Sequence, residues 1–359
     1  MAVLIESVQS VPAARATDPR LTCRVSAADG VGSGIFRLRF HLVLYYKKAS
    51  DEDSGWLLAG WAKESMGRAL QDFPILAGRL RRSDDGHEIV SNDSGVRLVE
   101  ARTSKTMVEF LDFPGREEAE VELVAWKDID EQNPDFSPLL YIQVTNFECG
   151  GYSIGVSCSP VLVDPLTIIC FLRKWAEIHG EMMSGTEGAK LPVFYLPKLK
   201  PNRSSPANTV GLNAAKGRGK SVIFTAQGRR LNLGDDTAKS LSLLCVAEAE
   251  SKLGLKTDSK FYVIVKATSR EVKVESLSGE GLMQKPLDIV GGLNPGNWDD
   301  LGAGEVGFVR GNKPVGVSYW INSVSGEGLV ILIPSPGESS VWEMKVVVTI
   351  PEESEISRN

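Results

Sequence analysis

The stretch SIGVSCSPVLVDPLTIICFLRKWAEIH, residues 153–179, gathers Ser157, Cys158, Ser159 and Asp164 around Pro160. Hydroxyl, thiol and carboxyl groups are the types that serve as nucleophile or acid, but each needs a base within hydrogen-bonding reach to act. No neighbour in sequence supplies one, because the first histidine downstream is His179. Pro160 has no titratable group and no backbone donor, and it biases Ser159 toward an extended backbone. Cys158 reads as a packed strand residue and Asp164 as a loop-holding one. The other two histidines, His41 and His87, read as a satisfied structural residue in a strand and as a solvated residue in a polar turn. His179 reads as a cation at the end of a helix, where it suits the dipole.

The elements around this stretch are a hairpin and a helix. PLLYIQVTNFECGGYSIGVSCS (138–159) is two strands joined at ECGG. Ile168, Ile169, Phe171, Leu172, Trp175, Ala176 and Ile178 form a broad apolar face, so the following segment is a helix packed on a sheet. Upstream, VLIESVQSV reads as a strand, 34–48 as a strand and 56–74 as a helix ending by Phe73 before Pro74. Residues 75–104 read as two or three short strands, and MVEFLDF as a short helix or turn. Beyond residue 220 come a strand, a helix capped by Asp235 or Asp236 and stopped by Gly254, and six more strands, EVGFVRG among them. The basic run KGRGK (216–220) reads as a solvated linker, and the Gly-rich stretch after residue 290 lacks the strand-to-helix pattern of a phosphate cradle.

The 359 residues are 42% hydrophobic and 24% charged, values of an ordinary globular chain. Net charge is −6, from 40 basic and 46 acidic residues, which argues against nucleic acid or an anionic membrane as a bulk electrostatic partner. Five cysteines without a CxxC pair argue against a disulfide scaffold and a zinc site, and fit a reducing compartment. The N-terminus lacks the basic and apolar regions of a signal peptide. No apolar run reaches the ~18 residues of a membrane span. These features set the expectation of a soluble cytoplasmic monomer with no metal.

Three segments carry a family resemblance: 73–101 (FPILAGRLRRSDDGHEIVSNDSGVRLVEA), the strand–strand–helix unit of 137–179, and 311–335 (GNKPVGVSYWINSVSGEGLVILIPS). They resemble the plant BAHD (HxxxD-type) acyl-CoA-dependent acyltransferases. The resemblance implies an α/β fold of two chloramphenicol-acetyltransferase-like halves, with mixed sheets flanked by helices. It places an N-terminal domain at 1–185, a crossover linker at 186–220 and a shortened C-terminal domain at 221–359. It also implies a tunnel between the halves, in which a histidine deprotonates the acceptor that attacks an acyl-CoA thioester. In this chain the histidine position holds Pro160, the Asp position holds Asp164, and the following Gly position holds Pro165. The DFGWG segment reads Phe308, Val309, Arg310, Gly311, Asn312, without its Asp and Trp.

With both motifs degenerate, the resemblance turns toward Eceriferum-type proteins. They resemble acyltransferases and assist a fatty-acid-elongating condensing enzyme of wax formation. The expectation is a non-catalytic accessory or regulator in very-long-chain acyl-lipid metabolism. It would hold no resident cofactor, take acyl-CoA as co-substrate if any, have a fatty-acid elongase condensing enzyme as partner, and lie peripherally at the endoplasmic reticulum. Two alternatives stand beside it: an O- or N-acyltransferase with a displaced base, and a lyase-type reuse of the same pocket.

Overall fold

The computed structural model describes residues 2–351 except 29–30, 32, 50–54, 85, 185–217, 229–234, 258, 269, 278–288, 323–325 and 335–341. The strands in chain order are β1 (Val3–Val11), β2 (Thr22–Ala27), β3 (Phe40–Tyr46), β4 (Arg79–Ser83), β5 (Gly86–Val90), β6 (Val96–Thr103), β7 (Leu140–Asn146) and β8 (Tyr152–Cys158). They continue with β9 (Lys220–Gly228), β10 (Lys260–Thr268), β11 (Glu271–Leu277), β12 (Asn294–Gly296), β13 (Gly316–Ile321), β14 (Glu327–Pro334) and β15 (Trp342–Ile350). The helices are α1 (Gly55–Ala69), α2 (Met107–Leu111), α3 (Arg116–Ala119), α4 (Pro165–Ser184) and α5 (Asp235–Leu253).

The fold is α/β with two mixed sheets. The first has the order β1-β6-β7-β8-β3-β13 and the second β12-β9-β15-β14-β10-β11-β2-β5-β4. The sheets do not follow the two halves of the chain. Strand β13 completes the first sheet beside β3, and β2, β4 and β5 extend the second beside β11. One core cluster therefore joins the inner faces of both sheets, holding Leu42 and Ile154 of the first together with Ile264, Val272 and Ile331 of the second.

Strands β3, β7 and β8 are buried along their whole length. Strand β3 is accordingly near-continuously apolar, whereas β7 and β8 alternate apolar residues with buried polar ones such as Gln143, Thr145, Ser153 and Ser157. One face lies under α1 and α4. The other is covered by a 3-10 turn at Glu120–Leu123. That cover is close: a Cβ at Gly155 would lie 1.9 Å from the Leu123 carbonyl oxygen, so the position admits no side chain.

The hairpin, α4 and the first strand stand where their periodicity puts them. Four readings change. The segment 34–48 opens with a 3-10 turn at Ser33–Arg37 before β3, whereas α1 stops at Ala69, before Phe73 as expected, and a separate 3-10 turn follows at Pro74–Ala77. EVGFVRG is not a strand. Its start lies in a 3-10 turn, Ala303–Glu305, and Val309 bridges back to Asn312 around Gly311, whose φ of 80° is left-handed. The burial of Phe308 turns the chain inward there. His179 lies within α4 and is buried rather than at its end, and His87 packs on Phe36 with ring centres 4.9 Å apart. Gly254 ends α5 with φ 63°, as expected. The side chains of Asp235 and Asp236, and most of the 186–220 linker, lie outside the described residues.

Candidate functional site

Strand β8 delivers Cys158 and Ser159 to a tight turn that runs into α4. The Ser159 N–H donates to the Leu139 carbonyl at 3.0 Å, and its own carbonyl accepts from the Leu162 N–H at 3.0 Å. Asp164 is the N-cap of α4. One of its oxygens accepts from the Thr167 N–H at 2.9 Å and the other from the Thr167 hydroxyl at 2.7 Å. Pro165 is the first helical residue, a place where proline loses no helical hydrogen bond and its fixed φ suits the helix. The Asp164 carboxylate is thus occupied in capping, and Pro165 fits the helix start.

Facing this turn across the sheet interface are Ile264, Lys266, Val272 and Ile331. With Pro160 and Asp164 they line a small cleft of about 20 Å³, room for one water. Pro160 contributes only ring carbons and a carbonyl. The Cys158 thiol is fully buried, and burial, with the Asp164 charge adding to it, pushes its pKa well above the usual thiol value. A thiol so held is not the thiolate that nucleophilic chemistry needs.

The structure pairs a nucleophile type with a base type at a different place. His41 Nδ1 lies 2.8 Å from the Ser157 hydroxyl, and both residues are buried. The pairing follows from register, since His41 and Ser157 are direct partners in the β3–β8 ladder. Their sequence separation hid it. The pair is not an activated dyad. Burial first, then the nearby Arg39 and Arg218 charges, lower the His41 pKa to about 3. A general base must be able to become an imidazolium, and the orienting group in working triads is an anion. Here the neighbours are cations, and Trp320 covers the ring at 4.9 Å. His179 likewise faces the Ser65 hydroxyl at 3.2 Å, with its pKa lowered by burial to about 4.

The segment 308–312, expected to correspond to the second motif, packs Phe308 into the core. Phe308 packs edge-on against Trp175 with ring centres 4.5 Å apart, and also meets His179 and Tyr46. The Val306 carbonyl accepts the Tyr46 hydroxyl at 2.8 Å, and the Asn312 side chain donates to the Lys47 carbonyl at 2.9 Å. Among the described residues no cluster of three metal-ligating side chains occurs, and no helix is long and apolar enough to cross a membrane.

A model of the Transferase family matches residues 1–223. The chain belongs to that family, the plant BAHD acyltransferases. It is 37% identical to a hydroxycinnamoyltransferase of Narcissus pseudonarcissus over 142 residues, covering 39% of this chain and 32% of the relative. It is 39% identical to Protein ECERIFERUM 26-like of Arabidopsis thaliana over 108 residues, covering 29% and 25%. The chain thus spans about a third or less of the length of these curated relatives. Among solved structures it is similar to vinorine synthase, with TM-score 0.44 and 16% identity over 99% of this chain and 95% of that one.

Proposed function

We propose that this BAHD-family chain is a non-catalytic accessory or regulator in acyl-lipid metabolism, acting on very-long-chain or wax precursors. The observation that carries the reading is the turn itself: Pro160, which has no titratable group, stands where the resemblance puts the base, beside a small cleft of about 20 Å³ lined mainly by apolar side chains. Asp164 supports the same reading, because its carboxylate is consumed as a helix cap. The likeness to Protein ECERIFERUM 26 of Arabidopsis thaliana, 34% over 144 residues, supports the choice of pathway. In this reading the partner is a fatty-acid elongase condensing enzyme, the protein works at the cytoplasmic face of the endoplasmic reticulum, and acyl-CoA is at most a ligand.

The test is release of free CoA by wild type and by Pro160→His, with malonyl-, hydroxycinnamoyl- and long-chain acyl-CoAs and a panel of acceptors. Neither protein is expected to turn over, because a histidine at 160 would face the same small, mainly apolar cleft. Wild-type turnover of order 1 s⁻¹, near the low end for enzymes, would overturn the reading. Turnover by the variant alone would show that the scaffold still holds a productive site and that one residue silenced it.

A further inference from the structure

The face of the first sheet turned away from α4 carries a column of planar side chains. Arg218, expected to be solvated in a basic linker, lies with its guanidinium 4.2 Å from the centre of the Trp320 ring. Trp320 in turn stacks on His41, with 4.9 Å between ring centres and 25° between planes. His41 reaches Ser157 at 2.8 Å. Two residues later comes Ser159, whose carbonyl closes the motif turn.

Arg218 is held from its other side by Glu120, which is fully buried. The Glu120 carboxylate also accepts the Tyr45 hydroxyl at 2.9 Å and the Ser318 hydroxyl at 2.6 Å, and Arg116 stands 3.5 Å away. A buried carboxylate is tolerable only with such partners. The main chain is equally committed. The Gly219 N–H donates to Ile321 of the first sheet at 3.0 Å, and a Cβ at Gly219 would lie 2.3 Å from the Thr349 methyl of the second. Residues 218–219 therefore run along the seam between the sheets.

We infer that Arg218 is a positioning latch: docked on Glu120 and Trp320, it fixes the end of β8, and with it the turn at 159–164, through His41 and Ser157. The physical reason is dryness. Ser157 is fully buried and His41 is nearly so, and solvent does not reach either partner to replace the other. Uncovering Trp320 frees the His41 ring to tilt, and the Ser157 hydroxyl then loses its partner in a place where nothing substitutes. The latch joins the residues that enter the second sheet to the turn that ends the first. It does not depend on whether the chain transfers acyl groups.

The test is hydrogen exchange at the hydrogen-bonded amides of Ser159, Leu162 and Val163, with β1 and β6 as internal reference. Arg218→Ala is expected to lower protection of these three amides about tenfold beyond any change in the reference strands. Arg218→Lys keeps a cation for Glu120 but loses the planar stack, and is expected to recover part of the protection. Adding Arg218→Ala to a Ser157→Ala background is expected to cost the turn little more, because the path is already cut. Equal loss across all strands, no change at the turn, or full additivity with Ser157→Ala would each overturn the latch. If Arg218→Ala does not fold, Arg218→Lys and Trp320→Phe, which retain a cation opposite Glu120, must still loosen the turn ahead of β1 and β6.

Discussion

The motif turn at 159–164 and the column from Glu120 to Ser157 both border the last residues of β8, and they are built in opposite ways. The turn holds Pro160 and Asp164, where the resemblance led us to expect the base and the motif Asp, yet its side chains are apolar, capping or neutral. The column holds a carboxylate, two cations of flanking helix and linker, a tyrosine, a histidine and a serine, yet each is consumed by the next. The difference teaches that residue types alone do not make a site. Chemistry needs a reactive group next to open space, and in this region the titratable groups lie in the packed column while the small cleft lies beside the turn.

Four measurements would break or sharpen that contrast. The largest effect is expected in the column. Glu120→Leu leaves Arg218 without its buried counter-charge, and urea unfolding is expected to show a loss of about 3–5 kcal/mol, the usual cost of breaking one side of a buried pair. A loss below about 1 kcal/mol, the range of exposed pairs, would mean that the column is a surface feature.

The next effect is in pH. His41 and His179 stay neutral when folded, with pKa about 3 and about 4, and they take up a proton only on unfolding. Stability is therefore complete above about pH 6.5 and falls as pH drops below it, by about 2 kcal/mol per histidine at pH 5. His179→Gln is expected to remove its share of that slope. An unchanged slope would show that the imidazole is hydrated in the native state.

In the turn the effects are smaller, because its groups do ordinary structural work. Asp164→Ala removes the cap of α4 and is expected to cost about 1 kcal/mol, whereas Asp164→Ser retains most of the capping. A loss of several kcal/mol would show that the carboxylate has a further buried partner. The least perturbing measurement is alkylation of the native protein. Cys149 and Cys170 are exposed and are expected to react, while Cys23, Cys158 and Cys245 are buried and are expected to stay protected until unfolding. Fast modification of Cys158 would reopen the motif turn as a reactive site.

The sequence by itself determined the hairpin β7–β8, helix α4 and the stop at Gly254. It also set the expectation that Asp164 holds the loop, and the carboxylate does cap α4. These are matters of apolar period, backbone dihedral and capping chemistry, which act over a few residues. The partner of Asp164 proved to be Thr167, also a local contact. Only the tertiary structure decided the rest. His41 meets Ser157 across 116 positions, Arg218 meets Glu120 across 98, and β13 crosses into the first sheet beside β3. Phe308 turned EVGFVRG from an expected strand into a turn because the space beside Trp175 and His179 took its ring. A local pattern states which side chains point inward. Which of them meet there is set by sheet register and strand order, and no short window of sequence contains these.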